Sequence, residues 1–138
     1  MEFEDKFFQK ITFTKEDIDR SFENALRDLH IAENDSFSEV RFSYSYQAML
    51  KAGIVLLAKF GGVRVKSIPG HHIKILQKMS EILKEPDVYT IGNAMRMKRN
   101  TDLYSGGELI SDKEADEYFQ FVKKSFKQVK VILGLDLE

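Results

Sequence analysis

Ala48-Met49-Leu50-Lys51-Ala52-Gly53-Ile54-Val55-Leu56-Leu57-Ala58-Lys59-Phe60 is apolar almost all the way round a helix. A surface helix keeps one polar face, so a stretch like this belongs at the centre of a helical bundle. Its unbroken apolar run, Ala52 to Ala58, spans seven residues between Lys51 and Lys59. A bilayer crossing needs about 20, so this is a core helix and not a membrane span. Gly53 within it costs about 1 kcal/mol relative to alanine, which a close helix crossing would justify. Downstream, Gly61-Gly62 stops the helix. Upstream, Asp35-Ser36 starts it, with Ser36 and Glu39 at capping-box spacing.

The same helical period continues on both sides. Thr14 is a good N-cap, followed by Glu16 and Asp17 in the first turn, where carboxylates oppose the helix dipole. Ile18, Phe22, Ala25, Leu26, Leu29 and Ala32 then recur at three- and four-residue steps, which predicts a first helix ending near Asn34. Val63 to Pro69 reads as a connection. Ile73, Ile75, Leu76, Met79, Ile82 and Leu83 predict a third helix over His71 to Lys84, closed before Pro86. A fourth runs from about Asp87 to Tyr104, broken by Ser105-Gly106-Gly107. Ser111-Asp112-Lys113-Glu114 is a further capping box, opening a last helix to about Leu133, with Gly134 as its stop. Phe7 to Phe13 alternates only weakly, so no strand is expected there. The expected fold is an all-α, five-helix, largely up-and-down bundle, a single domain over residues 1–138 with its core at about 14–133.

Composition narrows the function. The chain has 138 residues, is 43% hydrophobic and 31% charged, and carries a net charge of -1. That balance lacks the footprint of a protein that coats DNA. It has no cysteine, which excludes disulfide scaffolds, thiol catalysis and cysteine zinc sites. The acidic start, Met1-Glu2-Phe3-Glu4-Asp5, is the opposite of a signal peptide's positive end. A cytoplasmic protein, not attached to a membrane, is expected. The 11 Phe and 5 Tyr are more than a small bundle easily buries, so a homodimer joined near the second and fourth helices is expected.

There is no phosphate-cradling glycine loop, HExxH, calcium loop or GxSxG elbow. His71-His72 are adjacent and so point about 100° apart on a helix, a poor geometry for sharing one metal; capping or packing is expected of them, and no metal or cofactor. Glu114, Asp116 and Glu117 sit in the first turn of the last helix, where the dipole accounts for them. Arg96-Met97-Lys98-Arg99-Asn100-Thr101-Asp102-Leu103-Tyr104 is different. Arg96, Arg99, Asn100 and Leu103 share one helix face, and Tyr104 lies one turn beyond Asn100. Cations favour helix C-termini, yet two arginine forks beside a mid-face amide also suit phosphate. Arg96, Arg99, Asn100 and Tyr104 are the candidate phosphate-binding residues; the alternative is an internal Arg-to-carboxylate network.

At these residues the chain resembles HEPN domains, the "higher eukaryotes and prokaryotes nucleotide-binding" helical bundles. Three stretches carry the resemblance: Ser43-Tyr44-Ser45-Tyr46-Gln47-Ala48-Met49-Leu50-Lys51-Ala52 with the helix after it; Gly70-His71-His72; and Arg99-Asn100-Thr101-Asp102-Leu103-Tyr104, followed by Ile110-Ser111 and the last helix. The resemblance implies a bundle that dimerises around its arginine-bearing helices and often works beside a nucleotidyltransferase partner. In active members an Arg and a His with four to six residues between them cleave RNA without metal. Here Tyr104 stands at that spacing from Arg99, and no histidine follows. Tyrosine, with a pKa near 10, is a poor general base at neutral pH.

Three readings result. The first is a non-catalytic or accessory HEPN-like module that binds a nucleotide or RNA phosphate through Arg96, Arg99 and Asn100. The second is a metal-independent ribonuclease toxin using Arg99, Asn100 and Tyr104 with another residue as base. The third is a helical dimer for protein assembly with a purely structural arginine face. The missing histidine places the first ahead.

Overall fold

The computed structural model describes residues 1–104 and 110–135, and for residues 102–104 the helical backbone alone. Five helices account for it: α1 (Lys15–Asn34), α2 (Ser38–Leu56), α3 (His71–Leu83), α4 (Pro86–Tyr104) and α5 (Asp112–Leu133). The fold is an all-α bundle, as the periodicity predicts. Among the described residues no helix is long and apolar enough to cross a membrane.

The cap signals at both ends of the chain work, the first as a full capping box and the last through its serine alone. Thr14 Oγ1 accepts from Asp17 N at 3.1 Å while Thr14 N donates to the Asp17 carboxylate at 3.0 Å, a reciprocal cap that satisfies two groups otherwise orphaned at a helix start. Ser111 accepts from Glu114 N at 3.1 Å, and Gly134, at φ 76°, closes α5 in the left-handed conformation.

Helix α2 is the axis of the molecule and touches all four other helices. Tyr46, Ala48, Met49, Ala52, Val55 and Leu56 are all fully enclosed, which explains why the sequence there carries no polar stripe. Gly53 is the crossing point with α3. A Cβ built on it would lie 2.6 Å from Ile75 Cγ2, inside any normal contact distance, so the glycine's helix penalty secures the close approach. Gly92 does the same for α4, its Cβ position lying 2.6 Å from Leu76 Cδ2.

Two expectations need correction, and the end of α2 adds a detail. The weak alternation near Phe7 does form a strand: β1 (Phe8–Lys10) pairs antiparallel with β2 (Val63–Val65), within the segment read as a connection. Phe8 is buried beneath this ribbon, and Phe3 packs edge-on against it at 5.4 Å. The Ser36–Glu39 box does not form. Asp35 Oδ1 instead accepts from Phe37 N at 2.8 Å, and α2 begins at Ser38 with Phe37 as a cap that offers no side-chain bond. Finally, α2 loosens at its end into a π turn, Leu57–Gly61, before Gly62 at φ 59° stops it.

Candidate functional site

Helix α4 presents the cationic stretch, and packing separates its members. Lys98 reaches Glu114 of α5 at 3.3 Å and is accounted for as an ion pair. Arg96 Nε donates to Asn93 Oδ1, one turn back, at 2.9 Å. Arg99 lies over the ring of Tyr46 on α2, its guanidinium carbon 5.8 Å from the ring centroid, a cation–π placement. Both arginines are half-buried, and among the described residues neither has a carboxylate within ion-pair distance. The internal Arg-to-carboxylate network weighed as the alternative is not formed by these residues. Asn100 is exposed. The side chain of Tyr104 and the Ser105-Gly106-Gly107 loop lie outside the described residues.

Two residues join the arginines that the sequence did not single out as their partners. Tyr46 is fully buried, and a buried phenol needs a hydrogen-bond partner. Its hydroxyl finds Nδ1 of His72, at the start of α3, at 3.1 Å, and the two rings lie 5.8 Å apart. His71 does what was expected of a helix-start residue: its Nδ1–H donates to the carbonyl of Ile68 at 2.8 Å. It also sets its ring edge-on to His72, centroids 4.3 Å apart. Gly70 at φ 87° makes this turn into α3. Three helices thus bring Tyr46, His72, Arg96 and Arg99 into one cluster.

The electrostatics follow from that company. Burial, then His71 and the charges of Arg99 and Arg96, push the His72 imidazole down to about 4, so it is uncharged at neutral pH. Burial pushes the Tyr46 phenol up to about 12; the arginines pull the other way without reversing it. Tyr46 therefore remains a hydroxyl. The cluster offers two guanidinium groups, a neutral imidazole and a phenol, which suits an anion rich in acceptor oxygens. Metal binding is a different matter. Among the described residues no group of three or more His, Asp or Glu side chains is placed to hold a metal ion.

Hollows of the surface lie elsewhere. One, of about 450 Å³, runs along α1 between Glu23, Arg27, His30 and Asn34. Another, of about 210 Å³, lies between α1 and α5, where Lys123 is already paired with Glu33 at 2.8 Å. The α2–α3–α4 cluster, with two guanidinium groups around the neutral His72, is the stronger site on chemical grounds.

The clue to Tyr46 in the sequence was a phenol inside a helix buried all round. The clue to His72 was its helix-start position, but nothing local pointed to Arg99. No protein-family model matches the chain, and no curated protein and no solved structure matches it either.

Proposed function

We propose that the protein is a HEPN-like helical module that binds a nucleotide or RNA phosphate at Arg96 and Arg99, with Asn100 and Tyr104 as further contacts. The observation that carries this reading is the pair of half-buried guanidinium groups without a carboxylate among the described residues. A buried charge without a partner is expensive, and a phosphate supplies the missing countercharge in the bidentate geometry that arginine favours. The purely structural reading needs an internal carboxylate beside Arg99, and none among the described residues supports it. A homodimer and a nucleotidyltransferase partner belong to the same proposal. Exposed Ile54 on α2 and Met97 on α4 support a dimer. The aromatic residues support it less than their number promised, since only Phe37 and Phe60 stand out as exposed large apolar rings among the described residues.

The test is equilibrium binding of a fluorescent RNA oligonucleotide and of a labelled nucleotide to wild type and to Arg99→Ala. Saturable binding lost in the variant supports the proposal; binding unaffected by the variant contradicts it.

Ribonuclease activity is the second reading, and one observation favours it. A histidine missing from the Arg99–Tyr104 stretch is delivered to the side of Arg99 by another helix, as His72. Metal-independent cleavage would have Arg99 stabilise the crowded phosphorus and His72 move the 2′-hydroxyl proton. Cleavage in EDTA by wild type, abolished in Arg99→Ala and in His72→Gln, is its signature. No cleavage by wild type leaves the binding module as the account.

A further inference from the structure

Arg96 and Arg99 give the site its charge. Tyr46 and His72 add direction. Imidazole has two nitrogens on opposite sides of the ring, and the Tyr46 hydroxyl occupies Nδ1. With Tyr46 buried and His72 half-buried, Nε2 is the nitrogen left to meet a ligand. In the neutral ring a hydroxyl donating to Nδ1 places the proton on Nε2, making it a donor like the two guanidinium groups beside it.

We infer that Tyr46 and His72 complete the arginine site as a proton-linked receptor for a phosphomonoester dianion, with His72 Nε2 joining Arg96 and Arg99 as the third donor to the phosphate. The inference rests on the phosphate-binding reading above and names the class of phosphate. A terminal phosphate has three acceptor oxygens and close to two negative charges at neutral pH. Three donor groups, with two cations that meet no carboxylate among the described residues, match that count. An internal phosphodiester carries one charge and two free oxygens, leaving one donor unused and one cation uncompensated.

Proton uptake follows from the same geometry. The groups that act on His72 are His71 on its own helix, Tyr46 on α2, and Arg96 and Arg99 on α4; among the described residues no charge on β2, the π turn or α5 shifts it. In the empty site the cations oppose a charge on His72. A dianion between them neutralises that opposition and adds an attraction, so the bound site takes a proton from solvent onto Nδ1, and the Tyr46 hydroxyl turns from donor to acceptor of that N–H. Opposite charges at such range move a pKa by about one to three pH units. Tyr46 is a positioning residue here: it holds the ring so that Nε2 faces the phosphate.

The experiment follows the His72 imidazole nitrogens of the full chain by NMR between pH 5 and 8. It compares buffer alone, adenosine 5′-monophosphate, and a dinucleoside monophosphate whose single phosphate is a diester. His72→Gln identifies the resonances. The inference expects His72 neutral, with its proton on Nε2, across the range in buffer, and a midpoint raised by about one pH unit or more with the monophosphate. It also expects the diester to bind about tenfold more weakly or worse. In Tyr46→Phe, which keeps the ring, the His72 proton should divide between both nitrogens and monophosphate affinity fall several-fold. Monophosphate binding that leaves the His72 midpoint unmoved, or a diester that binds as well, overturns the inference while leaving the arginine site standing. A monophosphate that perturbs neither His72 nor the arginines overturns both.

Discussion

The hydroxyl of Tyr46 lies 3.1 Å from Nδ1 of His72, joining two helices whose residues are 26 apart in the chain. The bond sits where α2, the most enclosed helix, meets the first turn of α3, and it occupies Nδ1, leaving Nε2 as the other imidazole nitrogen. It also ties folding to protonation. A neutral buried histidine must be charged if the protein is to follow its unfolded chain into acid.

The direction of that linkage is a first prediction. The unfolded His72 takes up its proton near pH 6.5, whereas the folded one waits until about 4. Its contribution to stability is therefore complete above pH 6.5 and is lost as the pH falls from 6.5 towards 4. Allowing for its half-exposed position, the loss is about 2 kcal/mol. Urea unfolding at pH 7 and at pH 4.5 should show His72→Gln losing less stability than wild type by about that amount. Glu33 and Asp17, whose carboxyls are held low by Lys123 and by Thr14, act alike in both proteins and cancel in the comparison.

The helix crossings give a second prediction. Gly53→Ala would press a methyl group onto Ile75, and Gly92→Ala onto Leu76. Each should destabilise by about 2 kcal/mol despite alanine's better helix propensity, because overcrowding outweighs the propensity gain. Either change also moves α3, which carries His72. A thermal scan of both variants checks this, and a rise in Tm for either would mean that the helices yield without cost.

A third concerns a carboxylate away from the site. Asp28 is almost wholly buried on α1, with Oδ2 2.7 Å from Lys51 Nζ at an angle outside good hydrogen-bond geometry. Removing the lysine leaves the buried charge with only the longer pairing to Arg27, 3.9 Å from Oδ1, whereas Asp28→Asn removes the charge itself. Lys51→Met should therefore cost about 3 kcal/mol and exceed the cost of Asp28→Asn. Denaturant titration of the two variants orders them; the reverse order would show that water reaches Asp28.

What could be read from the sequence was what is decided within a few residues. Thr14 and Asp17 form their cap from groups three positions apart, and Gly134 stops α5 by its own conformation. Ser36 and Glu39 had the same spacing and failed, because the helix begins at Ser38 with Phe37 at the cap position, so Ser36 lies before the cap. The strand Phe8–Lys10 escaped notice since three residues carry almost no periodicity and their partner, Val63–Val65, is more than fifty positions away. The site divides the same way. Arg96 and Arg99 share a face that spacing reveals, while Tyr46 and His72 reach them only through the packing of three helices.

Salt supplies a fourth prediction. Two guanidinium groups holding a dianion from a half-buried position lose affinity as ionic strength rises, though less steeply than an exposed patch. Raising salt from 50 to 500 mM should weaken adenosine 5′-monophosphate binding several-fold, measurable by fluorescence competition. Insensitivity to salt would point away from charge as the source of affinity.

The most direct test of the central claim is isothermal titration calorimetry of adenosine 5′-monophosphate into wild type and into Arg99→Ala at pH 7. The account predicts saturable binding at one site per chain in wild type, and a loss of at least tenfold in the variant. No heat of binding in wild type, or equal affinity in the two proteins, would contradict it.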